Sequence, residues 1–243
     1  MSVGVTLPTQ ARHTSVRPPD VAWPAVLDLV LPQRCAVCAL PGPPLCAVCR
    51  GALIRIAPPV CARCGAPGAW PVSRCAECTG RRLGFARARA AILYDDRARA
   101  FVSAWKERGQ RLLAAEAAAL VAETVARPDS EVVTFVPPDR DRGLRRGHHP
   151  AERLARELGR VWELPVAPLL SRSRSVPRQR GLALAERRRN VAGAFAAAGP
   201  SPRSVCLVDD VYTTGATAAA ASAALRRAGA RSVEVVCLAR ANR

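Results

Sequence analysis

Apolar residues along the second half of this chain recur in two patterns, short continuous runs and longer helical segments. The short runs predict buried strands, which we place at residues 87–94, 131–136, 205–208 and 232–238. Helical segments are predicted at residues 97–108, 111–126, 148–160 and 218–228, and the second and fourth of them are rich in alanine. Gly109 separates the first two helices, Gly229 ends the last one, and residues 164–170 predict a weaker strand.

The N-terminal residues follow a different pattern. Apolar side chains from Trp23 to Val30 recur at i, i+3, i+4 and i+7, which predicts a short amphipathic helix over residues 21–31. Residues 1–20 lack the apolar core of a signal peptide and contain threonine, proline, serine and scattered arginine, so we expect a disordered leader. No stretch reaches the ~18 apolar residues of a membrane span, and we therefore expect a cytoplasmic protein.

Eight of the ten cysteines lie in four Cys-x-x-Cys pairs. Each pair places two thiolates on one turn, and two pairs complete a tetrahedral zinc site with four cysteine ligands. We predict two structural zinc ions, because a site of four sulfur ligands leaves no open position for water. Consecutive pairing closes the shorter loops and is therefore favoured. The predicted metal ligands are Cys35, Cys38, Cys46, Cys49, Cys61, Cys64, Cys75 and Cys78.

Two other uses of these cysteines remain open at this point. Disulfides are expected in oxidising compartments, which a chain without a signal peptide does not enter. An iron–sulfur cluster would be indicated by the ferredoxin-type C-x2-C-x2-C spacing, which this sequence lacks. Zinc fits the number and spacing of the thiols best. The remaining cysteines, Cys206 and Cys237, lie singly in predicted strands and are expected to be buried and inert.

The chain is strongly basic, with 37 Lys and Arg residues against 19 Asp and Glu residues and a formal net charge of +18. Such a charge is typical of proteins that bind nucleic acids or other polyanions. All of the basic residues except Lys106 are arginine, however, and with abundant alanine this ratio also indicates a compositional bias of the coding DNA. The charge therefore supports anionic partners only weakly.

Candidate chemistry is concentrated in the sequence VCLVDDVYTTGAT at residues 205–217. Asp209 and Asp210 stand at the end of a predicted strand, and a turn rich in hydroxyl groups leads into the next predicted helix. Backbone N–H groups at a helix N-terminus favour a phosphate, and Gly215 lets the backbone approach it closely. Adjacent carboxylates accept hydrogen bonds from vicinal hydroxyls or hold Mg²⁺. A helix capped by Thr217 is the alternative, which explains one hydroxyl and neither acid.

This segment resembles the signature of type I phosphoribosyltransferases, in which four apolar residues precede two acids and a T-T/S-G-x-T loop. The resemblance implies that Asp209 and Asp210 form the catalytic pair and hold the ribose hydroxyls of phosphoribosyl pyrophosphate (PRPP). It also implies that the loop binds the 5′-phosphate through Thr213, Thr214, Gly215, Ala216 and Thr217. The sequence contains neither a Walker GxxxxGK[ST] motif nor a helix-opening GxGxxG.

Basic residues outside the motif are candidates for the rest of an anion site. Lys106, near the end of a predicted helix, either reaches a phosphate or serves as a solvated helix charge. Arg142 and Arg146 lie in an arginine-rich loop at residues 137–147, where fork-shaped donors after a strand suit a pyrophosphate. Residues 171–190 contain seven arginines and one acid. They predict a mobile flap over the site or, alternatively, an arm that contacts nucleic acid.

Three sequence features that follow one another along the chain carry a second resemblance to a known family. This resemblance covers roughly residues 22–240. The features are the four Cys-x-x-Cys pairs, an arginine-rich loop ending in RGHHPA, and a segment Q-x-G-L…R-x-x-N-V-x-G-A-F before VDDVYTTGAT. The chain resembles the ComF/GntX family of bacterial phosphoribosyltransferase-like proteins with an N-terminal double zinc ribbon. That family often has R-G-[FY]-N-Q-A in the loop, where this chain has R-G-H-H-P-A. Gln179 and Arg187 match the later segment and are assigned to the flap.

We therefore predict an α/β fold, a Rossmann-like type I phosphoribosyltransferase domain at residues 83–243. A double zinc ribbon with a short leading helix precedes it at residues 21–82, after a leader at residues 1–20. The preferred function is Mg²⁺-dependent displacement of pyrophosphate from PRPP by a nitrogen nucleophile.

The ComF/GntX resemblance also implies a link to competence, with single-stranded DNA and DNA-uptake proteins as partners. The alternatives to an enzyme are a non-catalytic factor that binds PRPP or single-stranded DNA, and a PRPP-sensing regulator. The acceptor substrate is not identified by any segment of the sequence.

Overall fold

A computed structural model describes residues 33–106, 112–138, 149–172 and 193–242 of the 243-residue chain. These ranges contain six strands: β1 (Arg87–Leu93), β2 (Val132–Phe135), β3 (Leu170–Arg172), β4 (Phe195–Ala197), β5 (Ser204–Tyr212) and β6 (Ser232–Arg240). They also contain five helices: α1 (Ala47–Gly51), α2 (Asp96–Lys106), α3 (Leu113–Thr124), α4 (Pro150–Trp162) and α5 (Ala216–Arg227). The helix predicted at residues 21–31 lies outside the described residues.

Four of the strands form a parallel sheet in the order β1-β6-β5-β2. The central pair is the longest, and its register runs from Ser204 opposite Ser232 to Tyr212 opposite Arg240. Because the strands are parallel, their carboxyl ends meet at one edge of the sheet, where ligands bind in open α/β folds. β3 and β4 form a separate antiparallel pair.

Side chains of the sheet alternate between two hydrophobic clusters on opposite faces. Cys206 and Val208 belong to the cluster that contains residues of α2, α3 and α4. Val205 and Leu207 belong to the cluster that contains residues of α5 and the β3–β4 pair. Cys206 and Cys237 are both buried, as predicted. Since helices cover both faces, the strands are apolar on both sides, which explains their continuous apolar sequence. The predicted α/β fold class is confirmed.

Particular residues mark where α2 and α4 begin and where α4 ends. Asp95 Oδ1 accepts a hydrogen bond from the Ala98 N–H at 2.8 Å and caps α2. Pro150 occupies the first helical position of α4, which its fixed φ suits. The same helix ends at Glu163, whose φ of 53° is left-handed.

Two predicted boundaries around the acidic pair were wrong. The strand predicted at residues 205–208 extends to Tyr212 and therefore contains both aspartates. The helix predicted at residues 218–228 begins two residues earlier, at Ala216, because Gly215 adopts a left-handed conformation and ends the turn there.

The weak strand predicted at residues 164–170 is also incorrect as a regular element. Only Val166 pairs with the sheet, in a single parallel bridge to Val133 of β2. The next strand, β3, begins at Leu170 and includes Arg172, which the sequence had placed in the flap.

The cysteine-rich segment packs along the outer edge of β1. The Ile56 N–H donates to Ala91 O and the Leu93 N–H donates to Ile54 O, both at 2.9 Å, so the segment runs antiparallel beside the strand. Leu53 packs in the cluster with α2, α3 and α4, whereas Ile56 packs in the cluster with α5. The segment therefore crosses from one face of the sheet to the other.

The described residues from Arg34 onward form one compact unit. The division into a ribbon at residues 21–82 and a domain at residues 83–243 stays a prediction. Among the described residues, no helix is long and apolar enough to span a membrane.

Candidate functional site

The eight predicted ligand cysteines form two clusters of four sulfur atoms. Within each cluster the Sγ atoms all lie within 4.8 Å of one another. The pairing is consecutive, as predicted. We name them cluster 1 (Cys35, Cys38, Cys46, Cys49) and cluster 2 (Cys61, Cys64, Cys75, Cys78).

The sulfur atoms of cluster 2 have the spacing of a tetrahedral zinc site. Zn–S bonds of ~2.3 Å place tetrahedral sulfur atoms ~3.8 Å apart. The Sγ atom of Cys75 lies 3.5 Å from that of Cys64 and 3.9 Å from that of Cys78. The backbone N–H of Cys75 also points to Cys61 Sγ at 3.3 Å, and such donors stabilise a thiolate. Both clusters fit structural zinc ions with four thiolate ligands.

One thiol in each cluster ionises readily before any metal binds. Burial acts to raise the pKa of Cys61, but the backbone N–H groups of Cys64 and Cys75 contribute to lowering it to about 7. Burial likewise opposes ionisation of Cys35, and backbone donors lower its pKa to about 6. Each site therefore offers a thiolate near neutral pH with which a zinc ion can begin to bind.

The predicted phosphate loop lies at the carboxyl edge of the sheet, between β5 and α5. Thr213 is exposed, whereas Thr214 is only 5% exposed and its Oγ1 accepts a hydrogen bond from the Ala216 N–H at 3.1 Å. Thr217 lies in the first turn of α5 and is not its N-cap, which is Gly215. The Ala216 N–H is thus already bonded, and the N–H groups that follow it have no acceptor within the helix and are the donors that such a turn offers to an anion.

Gly215 has two structural reasons to be glycine. Its φ of 69° is left-handed, and a Cβ at this position would lie 2.5 Å from Tyr212 Cζ. The sequence had suggested only one reason for this glycine, the close approach of a phosphate. The structure adds that the Tyr212 ring packs directly against the turn.

Asp209 and Asp210 lie where the regular alternation of β5 shifts. Asp209 Oδ1 accepts from the Asp210 N–H at 2.9 Å, and Asp210 Oδ1 accepts from the Val211 N–H at 2.6 Å. If side chains continued to alternate between the two faces of the sheet after Val208, Val211 would lie on the face that carries α5 and Tyr212 on the opposite face. The reverse is observed, so the two carboxylates occupy an irregular point of the strand.

Lys106, the last residue of α2, forms an ion pair with Asp210. The two side chains are 23% and 18% exposed, so the pair is largely sheltered from solvent. Of the two interpretations left open by the sequence, the structure places Lys106 beside the acidic pair.

The pKa of Asp209 reflects this crowded environment. Burial raises the pKa of Asp209 to about 7, and the charge of Asp210 adds to the shift, whereas Lys106 and Arg172 oppose it. A carboxyl group with such a raised pKa is held among other charges at a cost in stability, which is common at functional sites.

Arg172 is a site residue that the sequence analysis assigned to the flap. Its Nε donates to Pro137 O at 3.3 Å, and its guanidinium lies 5.0 Å from the centre of the Phe195 ring. These contacts hold it at the base of the β3–β4 pair, where its charge lowers the pKa of Asp209. The only sequence signal was its position directly after a weak apolar run.

Two arginines behind the phosphate loop were also not predicted from the sequence. Arg81 Nη2 donates to Thr214 O at 2.8 Å. Arg240 is 1% exposed, and its guanidinium lies 4.6 Å from the centre of the Tyr212 ring. An arginine directly after the apolar run at residues 235–239 was the available signal for a buried cation at residue 240.

The other predicted site residues lie outside the described ranges. These are the pyrophosphate candidates Arg142 and Arg146 and the flap residues Gln179 and Arg187.

Comparisons with known proteins match both the cysteine-rich segment and most of the chain. Residues 26–79 match the Double zinc ribbon domain family. The chain is 30% identical over 230 residues to DNA utilization protein YhgH of Salmonella typhimurium, covering 87% of this chain and 99% of that protein. YhgH of Escherichia coli K12 is 29% identical with the same coverage.

Competence protein F of Haemophilus influenzae is 37% identical over 116 residues. The match covers 46% of this chain, which spans about half (51%) of that relative's length. Among solved structures, a purine phosphoribosyltransferase from Pyrococcus horikoshii matches with a TM-score of 0.31 and 22% identity, over 51% of this chain and 70% of that one.

The identity to YhgH extends over nearly the whole relative, and both sulfur clusters lie where the double zinc ribbon is matched. The chain therefore belongs to the ComF/GntX family and carries that family's N-terminal zinc ribbon.

Proposed function

We propose that this chain binds Mg²⁺–PRPP at the carboxyl end of β5 and catalyses displacement of pyrophosphate by a nitrogen nucleophile. The observation that carries the proposal is the sequence of groups along one turn. Two carboxylates, Asp209 and Asp210, are followed by a hydroxyl-rich loop that begins at Thr213 and by the N-terminus of α5 at Ala216. A sugar phosphate offers hydroxyls to the first part and a phosphate to the second.

The protein's own groups have distinct tasks in this proposal. Asp209 and Asp210 accept hydrogen bonds from the two ribose hydroxyls and stabilise positive charge that develops at the anomeric carbon. The N–H groups and hydroxyls of residues 213–217 hold the 5′-phosphate and so fix the sugar. Lys106, which pairs with Asp210, and Arg172, whose charge acts on Asp209, supply the positive charge that attracts a pyrophosphate.

The acidic pair also fits a magnesium ion. Mg²⁺ is usually bound by one or two carboxylates together with substrate phosphates. Here Asp210 contributes to raising the pKa of Asp209, and a cation between the two groups would relieve that repulsion. Bound Mg²⁺ would neutralise charge on the leaving pyrophosphate.

The test combines calorimetry of Mg²⁺–PRPP binding with an assay of pyrophosphate release in the presence of a panel of nitrogen bases. The double variant Asp209→Asn and Asp210→Asn keeps side-chain volume but removes both charges. Loss of charged hydrogen bonds should weaken PRPP binding at least about tenfold and abolish release. Unchanged PRPP binding in this variant would refute the site.

A matched control is available in the adjacent pair Asp95 and Asp96, which follows β1 at the same edge of the sheet. Replacing both by Asn changes the net charge equally, and an Asn at residue 95 can still cap α2. We expect this control to bind PRPP like the unmodified protein.

A second candidate function is a competence factor that binds PRPP or single-stranded DNA without turnover. It is favoured by the names of the relatives, a competence protein and DNA utilization proteins, and by the formal net charge of +18. Tight PRPP binding without pyrophosphate release across the panel would favour this candidate, because a fold does not fix the reaction. DNA binding that weakens steeply with added salt would support it directly.

A further inference from the structure

Cluster 2 is joined to the back of the phosphate loop by Arg81. This residue follows the ligand Cys78 by three positions, and its N–H donates to Cys78 O at 3.2 Å. Its guanidinium donates to two carbonyl groups, Glu77 O at 3.1 Å and Thr214 O at 2.8 Å. One planar group therefore connects the turn that carries a zinc ligand with the loop itself.

Arg240 makes a second connection, from the interior of the protein. It donates to Cys64 O at 2.9 Å and to Glu77 Oε2 at 2.7 Å, and its Nη2 lies 3.6 Å from Cys64 Sγ. A zinc ion with four thiolates carries two net negative charges, which suit a neighbouring buried cation. The other side of the same guanidinium contacts the Tyr212 ring.

Tyr212 completes this path to the loop. Its ring is 4% exposed and fills the space that a side chain at residue 215 would need. The segment after cluster 2 also touches α5 directly, since a Cβ on Gly84 would lie 2.8 Å from Ala223 N. The loop and α5 thus rest on groups that are bonded to cluster 2 or follow it along the chain.

Cluster 1 makes contacts elsewhere. Arg50, which follows its ligand Cys49, forms ion pairs with Glu116 and Glu123 on α3. Helix α3 packs on the face of the sheet opposite α5, so these ion pairs lie away from the phosphate loop. Cluster 1 is therefore an internal control for cluster 2.

We propose that the zinc site of cluster 2 positions the phosphate loop, so that zinc occupancy there and anion binding at residues 213–217 stabilise each other. Arg81 and Arg240 are the positioning residues. That the anion is PRPP rests on the proposed function, whereas the positioning of the loop does not. Coupling between two sites is reciprocal, so it is measurable from either side.

The first experiment needs no ligand. In the protein with two bound zinc ions, hydrogen exchange is measured at the Ala216 and Ala219 amides, which are hydrogen-bonded to Thr214 Oγ1 and Gly215 O. Arg81→Met should speed their exchange about tenfold, the effect of one lost charge-assisted hydrogen bond. Arg50→Met, which removes a ribbon arginine beside cluster 1, should leave it unchanged.

Equal exchange in Arg81→Met and the unmodified protein would overturn the proposal, as would an equal increase in Arg50→Met. Zinc content is measured in both variants. If Arg81→Met does not fold, exchange in a Cys61→Ser variant is compared with that in Cys35→Ser, each of which removes one ligand of one cluster. Faster exchange of the loop only in the Cys61→Ser variant would support the proposal.

The second experiment measures zinc release from the unmodified protein to a coloured chelator, with and without Mg²⁺–PRPP. One of the two zinc ions should be held more tightly and leave more slowly with the ligand present, because coupling between two sites is reciprocal. Cys35→Ser should keep the slowed phase and Cys61→Ser should lose it. Unchanged release despite PRPP binding overturns the coupling. Absence of PRPP binding overturns the proposed function, and the exchange measurement then still decides whether cluster 2 positions the loop.

Discussion

Lys106 at the end of α2 forms an ion pair with Asp210 inside β5, and this pair joins the helix layer to the carboxyl edge of the sheet. Lys106 is the only lysine of the chain, and it stands at the end of a helix whose start is capped by Asp95. Because the pair is mostly sheltered, salt screens it less than it screens a surface pair. Together with Arg172, Lys106 therefore supplies positive charge beside the two carboxylates, where we propose that the pyrophosphate binds.

We predict that Lys106→Met weakens Mg²⁺–PRPP binding about tenfold, because one charge-assisted contact to the ligand is lost. Calorimetry gives the dissociation constant. Arg99→Met is the control on the same helix, since the Arg99 side chain is 63% exposed and its pair with Asp96, at 3.1 Å, is an exposed one. Equal affinity of Lys106→Met and the unmodified protein for Mg²⁺–PRPP would show that Lys106 offsets the charge of Asp210 without contacting the ligand.

The raised pKa of Asp209 predicts a pH-dependent cost in stability. The folded-state pKa of about 7 lies above the usual value of 3.8, so this group stabilises the fold fully below about pH 4 and progressively less up to about pH 7. Asp209→Asn removes the cost of the charge. At about pH 8, without Mg²⁺ or PRPP, we expect it to raise the free energy of unfolding by about 2–4 kcal/mol.

The gain from Asp209→Asn should disappear at about pH 4, where Asp209 is protonated in the folded protein. Chemical unfolding at the two pH values measures the difference. Asp96→Asn, an exposed carboxyl with 94% of its side chain accessible, serves as the control and should be neutral at both. A gain of equal size at both pH values would show that charge is not its cause.

Local patterns in the sequence were sufficient to predict the ligand sets and the main elements. The spacing of the Cys-x-x-Cys pairs predicted two clusters with consecutive pairing, because each pair forms a turn independent of the rest of the fold. The apolar runs predicted the four strands of the sheet, since buried parallel strands are apolar on both sides. The acidic pair and its loop were located because all of their groups are neighbours along the chain.

Long-range contacts could not be predicted from the same patterns. Arg81 meets Thr214 across 133 residues, and Arg240 meets Cys64 across 176. Neither contact leaves a periodic signal, because each depends on the order in which strands pair. The extension of β5 through Asp209 was missed for a different reason, since a polar residue in an apolar run normally indicates the end of a strand.

The two zinc sites should be lost independently when their ligands are replaced. We predict two zinc ions per chain and one in the Cys35→Ser variant, because a tetrahedral site with three thiolates binds zinc much more weakly. Metal analysis under reducing conditions gives the count. Cys206→Ser is the control: this buried thiol lies in neither cluster, so the variant should retain both ions. One ion or none in the unmodified protein would contradict the assignment.

Gly215→Ala should disturb the loop more than any other small change at this edge. The added Cβ would have to occupy a left-handed backbone with φ of 69° and would collide with the Tyr212 ring. Left-handed backbone costs a non-glycine residue about 1–2 kcal/mol, and displacement of the ring adds to that. Thermal unfolding measures the loss of stability, and calorimetry should show PRPP binding weakened in parallel, since the ring that moves supports the phosphate loop.

Gly199→Ala is the matched control, because Gly199 has no atom within 4 Å of its added Cβ. Unchanged stability of Gly215→Ala would mean that the Tyr212 ring can move aside without loss of stability. The contact of Arg240 with Tyr212 would then not fix the position of the loop.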